Sequence, residues 1–232
     1  MRKVVAGLLT SAAILVAGPV VAADLYVPPV PPPVDNGLGG SFYLRASIGA
    51  NALWSNNHVF ADPAVGGPTS DTPTAAGYGY SYGVGVGYEA GNGLRADVTL
   101  DEIDNNGLTD GIDTLHLRST LAMANAYYDF GLGGWGDGGL GAYVGAGLGG
   151  GYYTLQAPGA DPQPDGSGWT PAAAAMAGIT YDMGNVVADL GYRLIYMPQL
   201  SNNQTASSGH NSYYLNDNFV NEVRATLRYR LN

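Results

Sequence analysis

Apolar side chains recur at every second position over much of residues 41–231. Phe42, Leu44, Ala46, Ile48 and Ala50 form one such row, and Leu94, Ala96, Val98 and Leu100 another. Val223, Ala225, Leu227, Tyr229 and Leu231 form a third. The intervening positions carry Arg45, Arg95, and Arg224 with Arg228 and Arg230. A period of two is the period of a β-strand, whose successive side chains point to opposite faces. Each strand therefore has one apolar face and one face bearing arginine. A soluble sheet would bury the apolar face and commonly present lysine to water, but Lys3 is the sole lysine of the chain. A transmembrane barrel reverses the arrangement, with apolar residues toward lipid and charge toward the lumen.

Alternating segments lie near 41–54, 77–90, 94–103, 114–129, 140–154, 169–183, 186–197 and 218–231. Each supplies the ~9–11 residues that a tilted spanning strand needs. The connections at 55–76, 104–113, 155–168 and 198–217 are long and polar, whereas those at 91–93, 130–139 and 184–185 are shorter and rich in glycine. Long loops on one side and tight turns on the other predict an all-β fold, an eight-stranded antiparallel up-and-down transmembrane β-barrel with both ends on the short-turn side. Gly91-Asn92-Gly93 and Gly184-Asn185 fit hairpin turns. They place Glu89 opposite Arg95 on the inner face, and Met183 opposite Val186 on the outer face. The row around Leu115, Leu117, Leu121 and Met123 reads as outward, with His116, Arg118 and Thr120 inward. That parity carries Asn125 toward lipid and suggests a bulge in this strand.

Composition adds an export route. Residues 1–23 read as a signal peptide: Arg2 and Lys3, an apolar run over 4–16, and Val21-Ala22-Ala23 before a cut at Asp24. Residues 24–40 form a proline-rich periplasmic lead-in, and 41–232 the barrel. Past the signal, seven arginines face 19 acidic residues, which excludes a phosphate backbone and hence nucleic acid as partner. There is no cysteine, so neither disulfides nor thiolate chemistry are available. The mean hydropathy of −0.01 accords with strands whose two faces average out.

The stretches 93–98 (Gly-Leu-Arg-Ala-Asp-Val), 124–130 (Ala-Asn-Ala-Tyr-Tyr-Asp-Phe), 143–147 (Tyr-Val-Gly-Ala-Gly), 189–193 (Asp-Leu-Gly-Tyr-Arg) and 222–229 resemble the small opacity-type surface-antigen porins of Gram-negative bacteria. The resemblance implies an outer-membrane barrel similar in shape to the transmembrane domain of outer-membrane protein A. It implies contact with outer-membrane lipid and lipopolysaccharide and handling by the barrel-assembly machinery. A host or envelope partner at the surface loops, haem capture among the options, also follows from it.

Three constellations could carry chemistry. Arg45, Glu89, Arg95, Asp97, Asp101, Arg118, Asp189, Arg193, Glu222, Arg224, Arg228 and Arg230 all read as inward and predict a lumen filled by paired charges. A salt-bridged structural core and a narrow ion path are its two readings, since an eight-stranded barrel is just wide enough for side chains to fill. Residues 102–113 space acidic and amide side chains around Gly107 much as a calcium loop does, with Glu102 and Asp113 at the ends. His58, His116 and the His210-Asn211-Ser212 triplet lack an orienting acid at readable spacing, so no enzyme, metal site or cofactor is expected. Phe42, Tyr88, Tyr181 and Tyr229 toward the short turns, and Trp54, Tyr78, Trp169, Tyr196 and Phe219 toward the long loops, predict two aromatic girdles. The expected function is a structural, surface-exposed outer-membrane barrel, antigen- or adhesin-like. A small porin is the alternative.

Overall fold

Two glycine turns set which residues face inward. Gly91 and Gly93 take φ of 75° and 90°, and Gly184 takes 90°, conformations that side chains with a Cβ rarely adopt. The Ala90 N–H donates to Leu94 O at 2.8 Å and the Met183 N–H to Val186 O at 2.9 Å, closing both hairpins. Glu89 thus lies opposite Arg95, and Asp182 opposite Val187.

The computed structural model describes residues 40–62, 67–71, 73–109, 114–132, 139–157, 163–201 and 212–231. The expected signal peptide and residues 24–39 lie outside them. The strands are β1 (Ser41–Asp62), β2 (Gly67–Asp71), β3 (Gly77–Glu89), β4 (Leu94–Thr109) and β5 (Thr114–Gly131), followed by β6 (Gly139–Ala157), β7 (Gln163–Asp182), β8 (Val186–Ser201) and β9 (Ser212–Leu231). All but β2 pair in chain order, antiparallel throughout. The ring closes through β1 and β9, paired from Phe42↔Leu231 to Ala61↔Ser212. The fold is therefore an eight-stranded up-and-down barrel, and β2 is a short extra strand on the far end of β1. Where all eight strands pair, closure leaves no free edge, as a lipid environment demands.

The strands run further toward the long loops than the sequence pattern predicts. Residues 104–109, 155–157, 163–168, 198–201 and 212–217 are strand rather than loop. The calcium-like segment accordingly does not form a calcium loop: Glu102 through Thr109 is strand, its side chains alternate between faces up to Asn106, and a bulge at Gly107, with φ of 94°, turns Leu108 inward. Residues 110–113 lie outside the described ones.

The outer face carries a wide apolar band. Ile48 is 68% exposed, Val98 58%, Leu148 71% and Val223 57%, with no protein layer over them. A closed belt of this kind needs lipid as its solvent.

In β5 the expected parity is overturned. Leu115, Leu117, Leu121, Met123, Asn125 and Tyr127 are buried in the interior, and Arg118 and Thr120 are exposed on the outer face. Asn125 therefore points inward without a bulge. The cause is a change of interior along the barrel axis. Toward the short turns the lumen is charged. Toward the long loops it is filled by Leu53, Ile103, Leu117, Leu155, Ile195, Met197, Leu200 and Leu215, each 0–1% exposed. The rule that charge faces inward holds only in the first half.

The wall has one seam. Among the described residues the β7–β8 ladder stops at Ala173↔Tyr196. Beyond it β7 continues with β6 and β8 with β9. Pro171 and Pro198 stand just past the last pair, and proline cannot donate to a ladder. Opposite Pro198 the β8–β9 register skips Asp217, whose φ of 53° is left-handed. Tyr153 of β6 clamps the far end of the seam, where its hydroxyl accepts from the Ser201 N–H at 3.0 Å.

Candidate functional site

The lumen is built in tiers from the short-turn rim upward. At the rim, Arg230 bonds Glu89 at 2.7 Å, Asp182 at 2.9 Å and the Gly184 carbonyl at 2.6 Å. Arg228 grips Asp189 through two N–H groups at 2.8 and 2.9 Å and also reaches Glu89. The Asp182 carboxylate also accepts from the Gly184 N–H at 2.8 Å.

One tier up, Arg95 forks onto Asp129 at 2.8 and 3.0 Å and lies 3.9 Å over the ring of Tyr127. Glu89 and Arg95 face each other on the backbone, yet no ion pair joins them. Each takes a partner on another strand. Arg45 donates to Asp97 at 2.7 Å and to the Tyr127 hydroxyl at 2.8 Å. Asp97 also accepts from Tyr43 and from Asn125, both at 2.8 Å.

The third tier is a four-membered knot. Arg193 donates to Asp101 at 2.8 Å and to Glu222 at 2.5 Å, and Arg224 bonds the other oxygen of Asp101. Thr99 and Ser81 add donors to Asp101 and Glu222. All four charged groups are buried. Glycines on the neighbouring strands make the room. A Cβ at Gly83 would stand 2.0 Å from an Asp101 oxygen, and one at Gly191 would stand 2.1 Å from the Tyr143 hydroxyl. Above the knot, Asn105 donates to Asn51 at 2.6 Å, and the aliphatic plug begins.

The structure thus brings together Arg45, Glu89, Arg95, Asp97, Asp101, Asp189, Arg193, Glu222, Arg224, Arg228 and Arg230. Arg118 is the exception and a correction. Its side chain is 62% exposed on the outside of the wall, bonded at 3.0 Å to Asp104, which also takes His116 at 3.0 Å. Beside them Thr120 donates to Glu102 at 2.6 Å. This patch lies beyond the apolar band. Burial would raise the Asp104 carboxyl, but hydrogen bonds from His116 and Arg118 hold it below the usual range. Sequence reasoning passed over Tyr43, Tyr127 and Asp129 and turned Asn125 toward lipid, yet all four complete the inner tiers. Tyr43 was legible by parity, since it sits on the arginine-bearing phase of β1; Tyr127 was not, since it lies on the phase opposite Arg118 in β5.

The outward aromatics gather at both ends of the band. Phe42 and Tyr88 meet at 4.9 Å between ring centroids near the short turns. Tyr152 with Trp169 (5.8 Å) and Tyr196 with Phe219 (5.2 Å) meet near the long loops. Trp54, Tyr78, Tyr181 and Tyr229 are exposed on the same outer face. Among the described residues no group of three His, Asp or Glu side chains is placed to hold a metal. His116 is tied to Asp104, and His210 lies outside the described residues.

No family model matches the chain, and no curated protein matches its sequence. Solved structures do match. Neisserial surface protein A aligns over 83% of this chain and 99% of its own, with 20% identity and a TM-score of 0.54. Outer-membrane protein OprG of Pseudomonas aeruginosa aligns over 82% and 97%, with 15% identity and a TM-score of 0.44. The attachment invasion locus protein Ail of Yersinia pestis aligns over 82% and 99%, with 15% identity and a TM-score of 0.41. Taken with the closed ring and the apolar band, the first of these likenesses shows that the chain has the fold of a small eight-stranded outer-membrane β-barrel.

Proposed function

We propose that this protein is an integral outer-membrane barrel with a closed lumen, a structural, surface-exposed element of the Gram-negative envelope. The observation that carries the reading is the stacking of two seals. Paired charges fill the half near the short turns, and fully buried aliphatic side chains fill the half near the long loops. An ion that crossed the charged tiers would still meet an unhydrated plug. The charges serve as the core that holds the wall together, and the long strands raise the polar loops beyond the bilayer. Outer-membrane lipid and lipopolysaccharide surround the apolar band, the barrel-assembly machinery inserts it, and a host or envelope partner meets the loops.

Planar-bilayer recording of the refolded protein tests this. The expected trace shows no steady conductance. A large, stable conductance would show an open lumen and replace this reading with that of a small porin. Fractionation adds a check on location, with the protein expected in outer membranes and heat-modifiable on a gel.

A further inference from the structure

Between the second and third tiers the side chains leave a cavity of about 10 Å³, the room that a single water-sized sphere needs. Its wall includes Arg45, Arg95, Arg193, Arg224, Tyr143 and Asp189. Four of these are guanidinium cations contributed by β1, β4, β8 and β9. Asp189 is the one carboxylate, and both its oxygens already accept from Arg228.

The donors and acceptors of this wall do not match. Arg45, Arg193 and Arg224 are 7%, 2% and 5% exposed, and each keeps a buried nitrogen without a hydrogen-bond partner. These are Arg45 Nε, Arg193 Nη2 and Arg224 Nε, the last with Glu222 Oε1 at 3.5 Å as an ion pair without a hydrogen bond. The surrounding oxygens are engaged. Asp97 takes Arg45, Tyr43 and Asn125, while Asp101 takes Arg193, Arg224 and Thr99. Thr226 Oγ1 and the Tyr127 hydroxyl accept from other nitrogens of Arg45. A guanidinium has five donors and no acceptor, so these three orphaned nitrogens ask for an acceptor. Leaving them buried and unpaired is costly. Water answers poorly, because it brings two donors of its own into a wall dominated by cations. Phosphate and sulfate are too large for the space.

We propose that the cavity is a binding site for a monatomic, monovalent anion of halide size. The ion accepts from Arg45, Arg193 and Arg224 and so ties β1, β8 and β9 together at the level where the charged tiers meet. It acts as a shared hydrogen-bond acceptor inside a closed barrel, and it stands or falls independently of what the surface loops bind.

Bromide is the probe. Crystals of the refolded protein soaked in bromide should show anomalous density within hydrogen-bond reach of Arg45 Nε, Arg193 Nη2 and Arg224 Nε. At constant ionic strength, chloride or bromide should raise the melting temperature in a saturable way relative to gluconate. Arg224→Lys keeps the charge and loses the Nε donor, and should weaken bromide binding at least about tenfold, as expected for a lost hydrogen bond to a charged group. If that variant does not fold, the wild-type halide comparison decides alone. Density with no anomalous signal, bromide at surface positions only, or equal melting temperatures in chloride and gluconate would each overturn the site.

Discussion

The arginines show how much a single residue depends on its tier. Arg193 is held by Asp101 and Glu222 with almost no exposure. Arg193→Met should cost about 3–5 kcal/mol in denaturant unfolding, because it leaves two buried carboxylates sharing one cation. Arg193→Met with Glu222→Gln should cost less than that single change, and additive losses would show that the two do not act as a unit. Asp104 presents the opposite case, a carboxylate on the wet outer face. Its depressed pKa means that its stabilising effect is present above the unfolded value of about 3.9 and is lost as pH falls through the lower folded value. Wild type should therefore lose more stability than Asp104→Asn as pH falls below about 4, and match the variant's pH slope above it. Coincident acid slopes would show that the His116–Asp104–Arg118 patch contributes nothing.

At the scale of elements, the hairpin turns were legible because glycine at positive φ leaves little choice of register. The inner phases of β1, β4, β8 and β9 were legible because charge marks them. β5 was not. Its marks, Arg118 and His116, fall beyond the bilayer, where the outer face is wet and charge costs nothing there. Its large apolar residues belong to the plug, and its lipid-facing positions are alanines 122, 124 and 126, which carry weak signal. The seam between β7 and β8 was written in Pro171 and Pro198, but two prolines 27 residues apart in the sequence do not announce that they are neighbours. The seam also makes a prediction. Tyr153→Phe removes the hydroxyl that accepts from the Ser201 N–H. Hydrogen exchange at Ser201 should accelerate in that variant while amides of the paired Ala173–Asp182 stretch keep their protection. Uniform acceleration along β8 would mean that the ladder, not the clamp, had been weakened.

For the whole molecule, strand number, antiparallel order and closure followed from alternation and loop lengths, which survive because a barrel wall repeats one physical rule. The division of the lumen did not follow, since the rule reverses where the wall leaves the membrane. That division predicts how the barrel can be made to leak. Leu121→Ser or Ile195→Ser places a hydroxyl in the plug and removes aliphatic volume from a packed cluster, at roughly 2–5 kcal/mol by analogy with large-to-small core changes. Brief conductance steps should appear in the double variant and be absent from wild type. Silence in both would place the seal in the charged tiers instead.

The distribution of arginine has a last consequence, for digestion. Beyond Lys3, trypsin has only seven arginines to cut after, and six of them point into the closed lumen. The seventh, Arg118, lies within β5, with its backbone paired to Asp104 on one side and Thr154 on the other. A protease needs an extended, unpaired segment, and none of these bonds offers one. Cells treated with trypsin should keep this protein whole while their lysine-bearing surface proteins are shaved away. The same protein, once unfolded by boiling, should fall to fragments at every arginine. A surface inventory made with trypsin would pass over it entirely.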